Sequence, residues 1–368
     1  MKVMLVVTSL MGAGHLNRTL IIARALKNAG ASPVVVSGGR ALPQLDTEGI
    51  EVIQLPPLSA DGIDYSRLLT ADGVADEAYF AARKHALLAA YNDARPDALV
   101  TELFPFGRRN LSDEFTVLLD HAKGKSRIWA SIRDVLEPKK KPKRIAETVD
   151  RLNRWFDGVL VHGDPSVIGL AASWPGVSDV QQKIHYTGYV AAPNPKPMPS
   201  AEGEILVAVG GGVIGRKMLE TAVEASNGSD RVWRLRTGGA DAAQQAERLQ
   251  KMVASPLVIV EPAAFDYRAR LASAACSVSL FGYNTATDLI AAGTPAVIVP
   301  MDEGGEQEQI IRAEAFSGLP GFTMLRDPDA ATLRNAVDTA IDGPRPSPNL
   351  GMDGAVQAAD LIIHAGGL

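Results

Sequence analysis

The chain has 368 residues, 46% hydrophobic and 21% charged, with a formal net charge of −5 and an isoelectric point near 5.8. That length exceeds one typical core and predicts two domains, while the mild acidity excludes a global attraction to nucleic acid. The single cysteine, Cys276, lies in the apolar run Ala-Ser-Ala-Ala-Cys-Ser-Val-Ser-Leu; this rules out an internal disulfide framework or multi-cysteine zinc site and reads as a buried structural thiol.

In chain order, residues 2–9 read as a buried strand, 15–29 as a helix, and 32–37 and 51–55 as strands. An alanine-rich helix over 74–93, a strand at 97–101 and a helix over 112–123 follow, with further strands at 127–131, 158–162 and 184–187. Continuous apolar strands joined by helices predict a parallel sheet covered on both faces. Residues 191–204 carry prolines at 193, 195, 197 and 199 and read as a semi-rigid extended linker. The pattern then restarts, with strands at 204–209, 231–236, 257–260, 276–280 and 295–299 and helices over 215–226, 241–252 and 266–274.

A last helical segment, 353–366, follows a second proline-rich stretch and is placed as a helix that could return to the first domain. The expected organisation is an N-terminal domain 1–192, a linker 193–203 and a C-terminal domain 204–352. Two doubly wound Rossmann-like domains facing each other across a cleft make the cleft the default site. The N-terminal apolar run is too short for a secretion signal and no run approaches the ~18 apolar residues of a membrane span. A cytoplasmic protein is expected, with at most a weak contact to the inner membrane surface.

Residues 281–309 are the most informative stretch. A glycine turn at Gly282 opens a short helix bearing Asp288, Gly293 closes it, and a β-branched strand leads to a polar loop with Glu308 and Gln309. Free N–H groups at the helix start suit phosphates, and the carboxylate suits ribose hydroxyls. The segment Thr285-Ala-Thr-Asp288 also fits a capping box, a purely structural role.

Glycine loops follow both first strands: Gly12-Ala-Gly14-His15 and Gly210-Gly211-Gly212-Val-Ile-Gly215. The second fits the spacing G-x-G-x-x-G, but no acid ends the next strand for a dinucleotide ribose, and Arg216-Lys217-Met218 after Gly215 is not a Walker A ending. The loops therefore read either as a pair of pyrophosphate-binding helix starts or as tight strand–helix turns. His15, in a first helical turn, suits a neutral base or a capping residue. Glu102, directly after a strand in Thr-Glu-Leu-Phe104-Pro-Phe106-Gly-Arg-Arg, reads as an acceptor-side base or an ordinary ion pair; Asp134 in Ser-Ile-Arg-Asp has the same two readings. The basic run 138–144 reads as a solvated loop or a hold on an anionic surface, and Asp327-Pro-Asp329 as a turn with no metal.

With these motifs the chain resembles the GT-B glycosyltransferases, and most of all the predicted ones akin to family 28, which includes the enzyme adding N-acetylglucosamine to lipid-linked peptidoglycan precursor. The resemblance implies a glycosyltransferase that takes a sugar from a nucleoside diphosphate donor, UDP-linked such as UDP-N-acetylglucosamine or another UDP-hexose, to a hydroxyl acceptor. That acceptor is a glycan, a lipid-linked molecule or a small molecule; inversion and no metal or other cofactor are implied. By the same resemblance His15 or Glu102 is the base, and Gly12, Gly14, Gly211, Gly212 and Gly215 lie at the diphosphate. Phe265 lies at the base; Gly282, Tyr283, Asn284, Thr285 and Asp288 form the ribose segment, with aspartate where the family has glutamate; Glu308 and Gln309 contact the sugar. Phe104, Phe106 and Asp134 fall on the acceptor side. A sugar-nucleotide 2-epimerase or a non-catalytic sugar-nucleotide-binding subunit would use the same donor grip.

Overall fold

The computed structural model describes the chain except for residues 62–63, 139–140, 210–214, 240, 302–304, 347–349 and 365–368. It divides into two compact units, one comprising Met1–Val190 with Asp353–Leu368, the other Ala191–Met352.

The described residues of the first unit build one eight-stranded sheet: β1 (Lys2–Val7), β2 (Ser32–Gly39), β3 (Glu51–Asp61), β4 (Asp64–Leu69), β5 (Ala98–Glu102), β6 (Arg127–Arg133), β7 (Gly158–His162) and β8 (Ile184–Tyr186). Their spatial order is β4-β3-β2-β1-β5-β6-β7-β8, parallel throughout except for the antiparallel β3–β4 edge. The near-unbroken burial of β1, β2, β5 and β7 is what a sheet covered on both faces requires. The order reverses between β1 and β5, which pair in parallel with Val6 opposite Thr101. The loops leaving β1 and β5 therefore diverge at adjacent strand ends, the place where open α/β sheets hold ligands.

Helix α1 (Gly14–Asn28) buries Leu16, Leu20, Ala23 and Leu26 at helical spacing, in one apolar cluster with β1 residues and with Ala358, Ala359 and Ile362 of the C-terminal helix Gly354–His364. A Cβ on Gly354 would press on the Gly188 carbonyl, so this helix begins where only glycine fits. On the opposite face, α2 (Glu77–Ala94), α3 (Ser112–Ala122) and α4 (Pro142–Trp155) cover the sheet. The Arg83 side chain of α2 is fully buried, and its guanidinium is held by Glu114 at 2.9 Å and by the Gly38 carbonyl at 3.0 Å. Helix α4 is an addition to the elements read from sequence. It starts one residue after Lys141 with proline at its head and buries Thr148, Leu152 and Trp155. The described part of the basic run thus leads into a helix; Lys139 and Lys140 lie outside the described residues.

The second unit carries a parallel six-stranded sheet in the order β11-β10-β9-β12-β13-β14 among its described residues. The strands are β9 (Ile205–Ala208), β10 (Trp233–Thr237), β11 (Val258–Pro262), β12 (Cys276–Ser279), β13 (Ala296–Ile298) and β14 (Phe322–Met324). Its order reverses between β9 and β12, where Ala208 pairs with Ser279. Two helix starts meet this point in the topology: α5 (Arg216–Ala225) after β9 and α8 (Tyr283–Ala292) after β12. Helices α6 (Ala242–Gln250), α7 (Tyr267–Ser273), α9 (Glu308–Phe316) and α10 (Ala330–Asp342) complete the layers. Asp329 caps α10 by accepting from the Thr332 N–H, so the Asp327-Pro-Asp329 segment is a turn into a helix. The proline segment after residue 191 lies along α7, with the Met198 N–H on Ala269 O at 3.2 Å and the Gly203 N–H on Ser273 O at 3.2 Å. Cys276 is buried, and burial pushes its thiol up to about 12. Among the described residues no helix is long and apolar enough to cross a membrane.

Candidate active site

The reversal of strand order in the first unit brings two residues together that stand 87 positions apart in the chain. His15, in the first turn of α1, places Nδ1 2.9 Å from Oε1 of Glu102, the last residue of β5. Three residues along α1, on the same helix face, Arg18 donates to the same oxygen; its side chain and that of Glu102 are each 3% exposed. The Ser131 hydroxyl, opposite Glu102 in the β5–β6 register, donates to Oε2 at 2.6 Å. Glu102 thus accepts from three side chains and needs no ligand to be satisfied. His15, by contrast, keeps 15% of its side chain exposed.

Charge follows from this geometry. Burial alone would raise the Glu102 carboxyl, but the Arg18 guanidinium and the His15 and Ser131 hydrogen bonds outweigh it and hold the group well below the usual carboxylate range. Burial lowers His15 to about 3, helped by the Arg108 and Arg18 charges and opposed by its bond to Glu102. The pair at neutral pH is therefore a carboxylate and a neutral imidazole. Because an ionised carboxylate only accepts, Nδ1 carries the proton and Nε2 keeps its lone pair. The 3.3 Å approach of Arg18 Nη2 to Nδ1 is then a contact between two donors, not a bond.

The segment after Glu102 is strained. Leu103 has φ 69° and Arg108 φ 59°, left-handed values that cost a non-glycine residue on the order of 1–2 kcal/mol each. Thr101 Oγ1 donates to Phe104 O at 2.8 Å and the Gly107 N–H to Leu103 O at 2.8 Å, closing the loop on itself. Phe104 stacks on Phe115 with centroids 4.6 Å apart, and Phe106 meets Trp174 edge-on at 4.9 Å. Both rings are buried, at 0% and 3% exposure. The two rings, expected on the acceptor side, pack here against Phe115 and Trp174 and hold the strained loop. Asp134, also expected on the acceptor side, is buried, and its Oδ1 accepts from the Val135 N–H at 2.7 Å.

At the glycine loop, Gly12 is exposed with φ 60°, and a Cβ there would meet nothing within 4 Å. Gly14 opens α1, which has no side-chain cap and no acid in its first turn. In the second unit Gly211 and Gly212 lie outside the described residues. Gly215 precedes α5, and a Cβ there would collide with the Val209 side chain, so the turn from β9 into α5 needs glycine for close packing. Among the described residues neither α5 nor α8 has a side-chain cap or an acid in its first turn, which leaves the positive end of each dipole available to an anion.

Helix α8 begins at Tyr283 with Gly282 as its cap, three residues earlier than a capping box at Thr285 requires. Asp288 therefore sits inside the helix, and the capping reading of this residue is corrected. Its Oδ1 accepts from Arg268 Nε at 2.7 Å, and the carboxylate remains 20% exposed. Burial raises the Asp288 carboxyl, while the Arg268 charge and hydrogen bond lower it. Tyr283 is buried, Asn284 and Thr285 are half-buried in the first turn, and the space above Gly282 is open, with no atom within 4 Å of an added Cβ. Phe265 is 87% exposed.

Glu308 and Gln309 turn inward. Glu308 is buried and pairs with Arg312 at 2.8 Å, while Arg312 Nη1 donates to Phe281 O at 3.2 Å. Gln309 spends its side-chain carbonyl on the Phe281 N–H at 3.0 Å and the Met301 N–H at 3.3 Å. Together they fix the loops that leave β12 and β13. A cavity of about 280 Å³ opens beside these loops, lined among others by Lys217, Leu280, Met301 and Arg326.

Sequence reasoning picked His15 and Glu102 separately but missed Arg18, His162 and Arg268. Arg18 stood at i+3 from His15, and His162 at the end of a predicted strand, which were the available signals. Arg268 gave none, because its partner lies 20 residues away on another helix. Among the described residues no cluster of three or more His, Cys, Asp or Glu could hold a metal.

No protein-family model matches the sequence, and no curated protein sequence does. Solved structures do match, over nearly the whole chain. The structure of the glycotransferase of kitacinnamycin is 18% identical, with 99% of this chain and 98% of that chain covered at a TM-score of 0.64. MurG of Acinetobacter baumannii is 16% identical, covering 98% and 95% at 0.57. The spinosyn rhamnosyltransferase SpnG complexed with thymidine diphosphate is 14% identical, covering 99% and 96% at 0.58. The fold is thus GT-B, two Rossmann-like units as in these glycosyltransferases.

Proposed function

We propose that the protein is a glycosyltransferase that moves a sugar from a nucleoside diphosphate donor to a hydroxyl acceptor, with His15 as the base. The observation that carries this reading is the His15–Glu102 pair, a neutral imidazole whose Nε2 is left as a lone-pair base by a fully satisfied carboxylate. The acceptor O–H passes its proton to Nε2, the acceptor oxygen attacks the anomeric carbon, and the bond from that carbon to the diphosphate breaks with its electron pair leaving on phosphate. Glu102 stabilises the imidazolium that forms and stays ionised itself. A single displacement of this kind inverts the anomeric centre.

The uncapped starts of α5 and α8 suit the departing diphosphate, whose charge they would stabilise without a metal ion. Asp288, paired with Arg268 yet partly open, suits the ribose hydroxyls. Phe265 suits a stacking or backbone contact with the base. Glu308 and Gln309 act at the sugar through the loops they pin. A ribonucleoside diphosphate donor, such as the UDP sugar the resemblance implies, is favoured over a deoxyribose one by Asp288, because a carboxylate gains most from a ribose that keeps both hydroxyls; the neighbour bound to thymidine diphosphate makes a deoxyribose donor the comparison to run.

Calorimetric titration with UDP, dTDP and GDP, and with sugars linked to each, tests the donor half. UDP should bind the wild type, and Asp288→Asn should lose about 10- to 100-fold in affinity, the value of one hydrogen bond to a charged group. Equal affinity of wild type and variant would remove Asp288 from the donor site.

A further inference from the structure

We infer that Thr187, His162 and Ser131 form a hydrogen-bond relay that points every donor toward Glu102 and fixes the tautomer of His162. The relay runs across four neighbouring strands at their C-terminal ends: Thr187 follows β8, His162 ends β7, Ser131 lies in β6 and Glu102 ends β5. The contacts are Thr187 Oγ1 to His162 Nδ1 at 2.9 Å, His162 Nε2 to Ser131 Oγ at 2.9 Å, and Ser131 Oγ to Glu102 Oε2 at 2.6 Å. All four side chains are buried, at 0–3% exposure.

Proton bookkeeping gives the relay one direction. Glu102 is acceptor-only, so the 2.6 Å contact requires the single Ser131 proton. Ser131 then has only a lone pair for His162, so His162 Nε2 carries a proton. His162 is neutral, burial having lowered it to about 3 with help from Arg18 and against the opposing Glu102 charge. Its Nδ1 is therefore an acceptor, and Thr187 donates to it, sharing its proton with the Gly188 carbonyl at 2.9 Å. Reversing the chain would set Ser131 and Glu102 lone pair to lone pair at 2.6 Å. Every donor thus points toward Glu102, and the carboxylate is turned so that Oε1 faces His15 and Arg18.

Ser131, His162 and Thr187 are positioning residues, and their consequence for turnover rests on the reading of His15 as the base. The structure itself requires opposite tautomers for two histidines: Nδ1–H for His15 and Nε2–H for His162. The test is nitrogen–proton correlation NMR on the full chain labelled with ¹⁵N-histidine, whose six histidines are assigned by substitution. The wild type should show this opposed pair. In Ser131→Ala, which removes the lone pair facing Nε2, His162 should lose its pure Nε2–H form, and in Glu102→Gln, where Ser131 reverses, it should become Nδ1–H, while His15 keeps Nδ1–H in both; kcat of Ser131→Ala should fall about tenfold at unchanged donor KM. His162→Gln, whose amide N–H can still donate to Ser131, should keep His15 in the Nδ1–H form. A His162 that is Nδ1–H in the wild type, or that remains purely Nε2–H in both Ser131→Ala and Glu102→Gln with both variants folded by circular dichroism, would overturn the relay. The spectra need no turnover, so a failure to find any sugar-nucleotide substrate would count against the proposed function and leave the relay to be judged by the tautomers.

Discussion

Replacing Glu102 by glutamine perturbs one atom set at the centre of the candidate site. The carboxylate accepts from His15 and Arg18 on Oε1 and from Ser131 on Oε2. An amide has one acceptor oxygen, and turning its NH2 toward Arg18 would oppose two donors. The oxygen must therefore face Arg18 and His15, with the NH2 on Ser131, which reverses and donates to His162. His15 keeps its Nδ1–H bond but loses the negative charge that stabilises its imidazolium in the transition state. For charge centres about 4 Å apart at an effective dielectric near 20 that loss is about 4 kcal/mol, or roughly a thousandfold in kcat. The buried Arg18 guanidinium, facing an amide oxygen where a carboxylate charge stood, should also cost about 3–5 kcal/mol of stability. The assay is nucleoside diphosphate release at saturating donor, with donor affinity measured separately by calorimetry and stability by urea unfolding. Glu102→Gln should lose kcat by two to three orders of magnitude at unchanged donor affinity. A folded variant with kcat within threefold of wild type would refute the claim that Glu102 acts through charge on His15.

Three further outcomes follow from particular residues. Gly282 has φ −67° and open space around a Cβ, so Gly282→Asp should fold and even gain about 1 kcal/mol as a helix cap, while its charge weakens UDP binding at least tenfold; unchanged affinity would show that the α8 start does not meet phosphate. Phe104→Ala should destabilise by about 3–5 kcal/mol in urea unfolding with donor affinity intact, and a loss below 1 kcal/mol would contradict a core role. The folded-state pKa values of His15 and His162, about 3 against 6.5 for an unperturbed histidine, lie below their unfolded values. The unfolded chain therefore binds more protons between these limits, and stability present above pH 6.5 is lost on acidification. Each histidine should cost about 2 kcal/mol at pH 5, so His162→Gln should lose about 2 kcal/mol less than wild type between pH 7 and pH 5; parallel curves would show that His162 is not held neutral.

Much of the fold was legible because its strands are buried on both faces and separated by helical periods. What periodicity omits is lateral order. Nothing in the sequence says that β5 lies beside β1, and that adjacency alone joins His15 to Glu102. The relay was hidden for the same reason, since its members lie at or near the C-terminal ends of neighbouring strands and are 25 to 31 residues apart. Helix α4 was masked by the basic run before it, although Ile145, Val149 and Leu152 carried a helical spacing toward the core. The antiparallel edge strand β4 is absent from the sequence reading, and β3 runs on past Pro56 and Pro57 to Asp61. Asp288 misled in a different way: a capping-box spacing fell inside a helix that glycine had already started. Glu308 and Gln309, expected at the donor sugar, hold hydrogen bonds the sequence does not announce: Gln309 pins the Phe281 and Met301 N–H groups, and Glu308 pairs with Arg312, which donates to Phe281 O.

The most direct test of the account is nucleoside diphosphate release from a panel of UDP-, dTDP- and GDP-sugars, with hydroxyl acceptors, by wild type and His15→Ala. Turnover of at least one donor is expected, with a loss of about 10²–10⁴ in His15→Ala at unchanged affinity for that donor. Turnover unaffected by His15→Ala, or the absence of both binding and turnover with every sugar nucleotide, would contradict it.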